Sequence, residues 1–269
     1  MRLQTAILQW YSKDGRKLPW RETSDLYRIL VSEMMLQQTQ VERVVPKYTE
    51  FLEKFPTAQD LANAQPGDVI EAWGGLGYNR RALYLQQAAE GMLEGKAMNQ
   101  LPGVGPYTAA ALQAFARNED IAVLDTNVRR VVGRLFFGRK DAPLDMIQGK
   151  AWELVPPGKS REWHNALMDV GSLFCVSGRP RCGACPAQGF CAYAKKPEKE
   201  TSTASKQGRF PGSRRFYRGQ IVSMLRKEKA VTLPRLQKRF PEAKAMRMIV
   251  NELASEGLVV REGKSVRLP

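Results

Sequence analysis

The sequence predicts a mainly α-helical fold, and three observations carry that expectation. Apolar residues recur at helical spacing through most of the chain, strand-like runs are scarce before about the last ten residues, and Pro56, Gly74-Gly75 and Pro156-Pro157-Gly158 punctuate the periodic stretches. Taken in order, Ser24 and Asp25 are N-cap residues for a helix carrying Leu26, Ile29, Leu30, Met34 and Leu36 and running through Gln37 or beyond, which places Glu33 inside it. Further helices are expected over 43–54, 58–63, 66–73, 79–94, 106–117, 126–136, 148–154 and 161–174.

Residues 195–212, KKPEKETSTASKQGRFPG, hold hardly any large apolar side chains and read as a linker. Beyond it, Phe216, Ile221, Met224 and Leu225 fit one helix, Leu233 to Phe240 a second, and Ala243 to Ser255 a third with Met246, Ile249, Val250 and Leu253 inward. A β-hairpin is expected next, Leu258–Arg261 and Ser265–Leu268 around a Glu262-Gly263-Lys264 turn. Three helices and a two-stranded wing resemble a winged-helix domain. The expected organisation is therefore a core over 1–194, a linker over 195–212 and a small basic module over 213–269.

The chain has 269 residues, 43% hydrophobic and 26% charged, which excludes wholesale disorder and collagen-like repeats. No uncharged apolar run approaches the roughly 18 residues that cross a bilayer. The first twenty residues carry Arg2, Lys13, Arg16 and Lys17 without a signal-peptide core, so a cytoplasmic protein with no membrane partner is expected, on the nucleoid if bacterial. The net charge is +15 and unevenly spread: residues 1–194 hold 23 basic and 20 acidic side chains, residues 195–269 hold 19 and 7. An anionic polymer is the natural partner of such a distribution, although a basic tail also serves solubility.

All four cysteines, Cys175, Cys182, Cys185 and Cys191, lie in one 17-residue window with spacing C-x6-C-x2-C-x5-C. Structural disulfides are disfavoured in a reducing compartment. Tetrahedral zinc and an iron–sulfur cluster both take four thiolates, and spacing alone does not choose between them.

Leu101-Pro-Gly-Val-Gly-Pro-Tyr-Thr108 places Gly103 and Gly105 in a turn and Pro106 at the first position of a helix. Such a turn presents backbone N–H groups and the helix dipole, which suit a DNA phosphate, although it also serves as a plain helix-to-helix connection. Asp125 follows Thr108 by seventeen residues, at the end of the apolar approach Ala122-Val-Leu and before Thr126-Asn127. It is either an N-cap or an active-site acid. Read alone, Glu33 is an ordinary helix glutamate.

The order of hairpin, acid and four-cysteine loop resembles the helix-hairpin-helix DNA glycosylases. Leu18-Pro-Trp-Arg21, Val31-Ser-Glu33-Met-Met-Leu-Gln-Gln-Thr-Gln-Val41, Gly75-Leu-Gly-Tyr78, Leu101–Thr108 and His164-Asn-Ala-Leu-Met-Asp-Val-Gly171 are similar to the motifs of the adenine-specific, MutY-type branch over about residues 5–194. The resemblance implies a six-helix barrel domain beside a second helical lobe built from both ends of the segment, with DNA in the cleft. It also implies a [4Fe-4S] cluster on the four cysteines and a monomer acting on double-stranded DNA that contains a mismatch or lesion.

Cleaving an N-glycosidic bond calls for a protonated leaving base and a stabilised sugar cation, hence two carboxyls in different protonation states. By the resemblance, Glu33 protonates the flipped adenine and helps activate water, and its apolar neighbours Ile29, Met34, Met35 and Leu36 suit a neutral carboxyl. Asp125 stays ionised and opposes charge developing on the deoxyribose. Asn127, Tyr107 and Gln37 or Gln38 are expected to orient water, sugar and base. Tyr107 stands where bifunctional relatives carry a Schiff-base lysine, so strand cleavage is not expected. Gln38, Leu76 and Tyr78 are candidates to fill the gap left by the flipped base.

Thr39, Gly103, Gly105 and Thr108 complete the DNA contacts expected in the core. Lys244, Arg247 and Lys264 are those expected in the basic module. Typical adenine glycosylases continue into a domain related to nucleotide-diphosphate hydrolases that inspects 8-oxoguanine opposite the adenine, whereas here about 57 residues resemble a winged helix, and Asn79 replaces a common aromatic. The alternatives are a thymine or uracil mismatch glycosylase on the same scaffold and a non-enzymatic DNA-binding regulator whose cluster senses redox state.

Overall fold

Helix starts follow local chemistry in the computed structural model, which describes residues 2–197, 209–243 and 245–269. In chain order the helices are α1 (Leu3–Asp14), α2 (Leu26–Leu36), α3 (Val41–Lys54), α4 (Ala58–Ala62), α5 (Pro66–Ala72), α6 (Arg80–Leu93), α7 (Pro106–Arg117), α8 (Thr126–Phe137), α9 (Leu144–Glu153), α10 (Ser160–Leu173), α11 (Ala192–Lys195), α12 (Arg214–Leu225), α13 (Leu233–Arg239) and α14 (Met246–Ser255). Asp25 caps α2, its Oδ1 accepting the Arg28 N–H at 2.7 Å. Thr57 and Asp60 form a reciprocal capping box on α4, and Ser213 caps α12. Prolines occupy the first turns of α5, α7 and α13, where the missing N–H costs nothing. Among the described residues, no helix is long and apolar enough to cross a membrane.

Helix α1 and the four-residue α11 lie outside the periodicity reading. So does β1 (Val231–Thr232), which corrects the expected two-stranded wing. With β2 (Val260–Glu262) and β3 (Ser265–Arg267) it makes a three-stranded antiparallel sheet of order β1-β3-β2. Val266 pairs with Val231 on one side and Arg261 on the other. A two-residue strand has no alternation to detect, and only the pairing defines it.

The chain divides into two units that do not follow chain order. The first comprises residues 1–29 and 105–203, the two-ended construction expected of the second lobe. Its core gathers Ile7 of α1, Val128, Val131 and Val132 of α8, and Trp163, Leu167 and Val170 of α10, with Cys175, Cys185 and Cys191 packed against it. The second comprises 30–104 and 204–269. Here Tyr217, Ile221 and Val222 of α12, Leu236 of α13, Ile249, Val250 and Leu253 of α14 and Val266 of β3 form one cluster that also takes in Ile70 of α5. The basic module is thus packed on residues of the barrel segment. A Cβ at Gly67 would collide with the Pro269 carbonyl, so the backbones meet there without a side chain between them.

Candidate active site

Asp125 is both a cap and a held acceptor. It precedes α8 with extended backbone, its Oδ1 accepts the Val128 N–H at 2.6 Å, and its Oδ2 accepts from Asn127 Nδ2 at 2.9 Å. Burial raises the Asp125 pKa above the ordinary carboxylate value, opposed by those hydrogen bonds and by the charge of Arg130. Asn127 is fixed in turn, its Oδ1 accepting from Arg130 Nη2 at 2.7 Å. Gly171 of α10 lets this helix start approach closely, since a Cβ there would lie 2.6 Å from Asn127 Cβ. Tyr107 sits half-buried in the first turn of α7, behind Gly105, whose lack of a side chain leaves the helix start without a side-chain cap. Thr108 is buried, so any anion contact from it falls to its backbone.

Residues that the sequence motifs contain, but that their chemistry alone does not single out, hold this half together. His164 is buried, its Nδ1–H donating to the Ser160 carbonyl at 2.7 Å and its Nε2 accepting the Val123 N–H at 2.9 Å, two residues before Asp125. Burial pushes its pKa down to about 4, so the neutral ring is the folded form. Asp169 is fully buried and accepts from Arg16 and, through both oxygens, from Arg21. Its burial disfavours the charge, but the hydrogen bonds and charge of Arg21, then of Arg16, outweigh that and hold the pKa below the usual value. The Leu18–Arg21 and His164–Gly171 motifs are in this way one structural support for Asp125.

In the second unit Glu33 lies within α2 and is 7% exposed, with Met34 and Met35 fully buried beside it. The residues after α2 are arranged by Arg81 of α6, whose Nη1 donates to the Met34, Met35 and Gln37 carbonyls and whose Nη2 donates to Thr39 Oγ1 and the Gly77 carbonyl. Burial lowers the Arg81 pKa to about 10, still charged at neutral pH. Gln38 is exposed with a left-handed φ of 55°, and Gln37 Nε2 approaches the Gly103 carbonyl at 3.4 Å. Gly103 requires glycine twice over: its φ is +76°, and a Cβ would lie 2.6 Å from Met34 Cε. Of the two loop candidates for the gap, Leu76 is buried, while Tyr78 is 49% exposed with a φ of 47°. Arg247 is exposed on α14, Lys264 lies in the turn before β3, and Lys244 falls outside the described residues.

The four cysteines line one small cavity with Arg134, Phe174 and Tyr193. No group of three or more His, Cys, Asp or Glu side chains among the described residues is placed to hold a metal ion. Four thiolates are the donor set of a tetrahedral zinc site or of an iron–sulfur cluster. Burial pushes the Cys185 thiol up to about 11 and raises that of Cys191. Arg134 is only 1% exposed, with Nη1 3.4 Å from Cys175 Sγ, and a buried guanidinium there suits an anionic sulfur. The donor set fits a four-iron cluster.

Comparison with known proteins first defines the class: residues 31–157 match the HhH-GPD superfamily of base excision DNA repair proteins. The adenine DNA glycosylase of Mycolicibacterium smegmatis is 39% identical, over 82% of this chain and 79% of that protein. That of Mycobacterium tuberculosis strain H37Rv is 37% identical, over 82% and 78%. The structure of a thermostable thymine-DNA glycosylase aligns with a TM-score of 0.67 at 30% identity, over 72% of this chain and 95% of that one. The chain belongs to the adenine DNA glycosylase family.

Proposed function

We propose that this DNA N-glycosylase removes adenine mispaired with guanine or 8-oxoguanine in double-stranded DNA, leaving the strand intact. The observation that carries the reading is Asp125, with both carboxylate oxygens hydrogen-bonded at a helix start. Desolvation keeps it a strong partner for a cation, and fixed donors hold it in place, which is what an oxocarbenium-like sugar requires. Glu33, in its apolar helix, protonates the adenine ring nitrogen as the C–N bond breaks and then takes a proton from the attacking water. Tyr107 has no amine to form a Schiff base, so the product is an abasic site. Cys175, Cys182, Cys185 and Cys191 would hold a [4Fe-4S] cluster, which would cross-link residues 175–191 beside Arg134 of α8.

A second reading, thymine or uracil excision, draws on the likeness to the thymine-DNA glycosylase. Duplexes carrying A, T, U or hypoxanthine opposite G or 8-oxoguanine, treated with hot alkali after incubation, separate the two. Breaks at A support adenine excision, breaks at T or U only support the second reading, and none at any base supports a non-enzymatic DNA binder. For the cofactor, purified protein is expected to be yellow-brown with iron and sulfide present, and Cys182→Ser to be bleached. Stoichiometric zinc without iron in an anaerobic preparation would reject the cluster.

A further inference from the structure

A cavity of about 870 Å³ lies wholly within the second unit, between the loop 75–81 and α12 of the basic module. Its floor is apolar, with Leu76, Val222, Leu253 and Leu258 all buried. Six arginines line it against a single carboxylate, Glu256. Four of them are engaged within the protein: Arg81 and Arg43 with backbone carbonyls, Arg218 with Glu252 and Glu256, and Arg80 over the Tyr84 ring. The remaining two differ. Arg215 is exposed and carries no ion pair among the described residues. Arg226 lies over Gly74, where a Cβ would collide with its guanidinium; its Nη2 donates to Ser223 Oγ at 3.5 Å, no carboxylate pairs with it among the described residues, and its Nε is buried without a hydrogen-bond partner. Two exposed aromatics, Tyr78 and Phe210, also line the cavity.

An apolar floor, aromatic rings and guanidinium groups without a carboxylate partner among the described residues are the chemistry that holds a nucleotide: stacking surface for a base and fork-shaped donors for its phosphate. The volume is within the roughly 300–1,000 Å³ of small-ligand sites. The residues expected to fill the gap left by a flipped base, Gln38, Leu76 and Tyr78, line this same cavity. Arg247 and Lys264, the contacts expected of a recognition helix and wing, do not.

We propose that the cavity receives the nucleotide left without a partner when adenine is flipped, its phosphate on Arg215 and Arg226 and its base against Tyr78 and Phe210. The basic module then meets DNA through α12, not through α14 and the wing. This rests on the glycosylase reading above, and the test separates the two.

Gly219 of α12 lines the cavity and has nothing within 4 Å of an added Cβ, so Gly219→Leu extends a side chain from an open position into the space and adds a better helix former. Full-length parent, Gly219→Leu, Arg215→Gln and the double variant Arg247→Gln/Lys264→Gln would be compared on duplexes holding a non-cleavable adenine analogue opposite guanine or an abasic analogue. Affinity is read over a salt series, with thermal melts as the folding check. Arg215→Gln is expected to weaken binding about three- to tenfold near 0.1 M salt and to reduce the salt slope by about 0.9, one phosphate contact. Gly219→Leu is expected to abolish the parent's preference for guanine over the abasic partner, and the double variant to bind as the parent. Loss in the double variant with none in Arg215→Gln would overturn the proposal, as would an unchanged partner preference in Gly219→Leu. Parallel base-release assays on A:G duplexes keep the questions apart: a parent that releases no adenine defeats the glycosylase reading, whereas normal release with unaltered binding in the cavity variants defeats this proposal alone.

Discussion

Asp125 carries a conflict between stability and catalysis that substitution can expose. Its pKa is raised, so the fold binds its proton more tightly than the unfolded chain does, and stability is lost as pH rises through the carboxylate range. Asn is a competent cap without the charge. Asp125→Asn is therefore expected to melt no lower than the parent at neutral pH while single-turnover base release falls at least 100-fold; Glu33→Gln should lose release by a factor of about 10²–10⁴. Both should retain DNA binding, and release at the parental rate would remove the assignment. His164 works in the opposite pH direction. With its pKa lowered to about 4, its contribution is complete above the unfolded value near 6.5 and is lost as pH falls toward 4. By the 1.36 kcal/mol per pKa unit rule, this costs the parent about 2 kcal/mol between pH 7 and 5. His164→Gln should show a parent-minus-variant stability gap that narrows over that interval in urea titrations, and a constant gap would contradict a neutral buried ring. The position of Asp125 at a helix start and of Glu33 within a helix is legible in the sequence, from the cap chemistry and the apolar spacing around each. The roles of His164, Arg81 and Arg134 are not, because each depends on which distant carbonyl, amide or sulfur it meets.

Helix α8 and helix α10 are matched at one point where there is room for no side chain. Gly171 faces the start of α8, with Asn127 Cβ and backbone atoms at 2.6, 3.2 and 3.3 Å from the position a Cβ would take. Gly171→Ala must separate the helices or rotate the α8 start, and overpacking of this kind costs roughly 1–3 kcal/mol. Because the displaced residue hydrogen-bonds Asp125, base release should fall by more than the unfolded fraction explains. Equal losses of folded protein and of activity would mean the contact is packing only. The expected helix 126–136 and the observed Thr126–Phe137 agree because an acid cap, an apolar stripe and Gly138 mark both ends. The expected 148–154 begins four residues late against Leu144–Glu153, since Leu144 and Met146 are exposed and give no inward stripe. The sequence shows the glycine of the HNALMDVG run, but not that its reason lies on another helix.

At the scale of the molecule, charge and periodicity mark 213–269 as a module with its own helices, yet nothing local says what it packs against. The structure clusters it with 30–104, burying Ile70 completely and packing Leu83 against the same core. Both residues belong to amphipathic helices whose apolar faces read alike whichever neighbour covers them. Removing everything after about residue 194 would therefore do more than discharge a basic surface. It strips the cover from Ile70 and leaves the Gly67 and Gly74 backbone facing water in place of Pro269 and Arg226. Exposing one fully buried Ile side chain costs about 1.5–3 kcal/mol, and each kcal/mol lowers Tm by roughly 2–4 °C in a chain of this size. The truncated protein is expected to melt about 5–10 °C below the parent, with Ile70→Ser in the truncated chain recovering solubility. An unchanged Tm would mean the module is tethered and not packed. The salt dependence of DNA binding is for that reason to be read from charge substitutions in the full chain, where Ile70 stays covered and a lost phosphate contact is not confused with a loosened core.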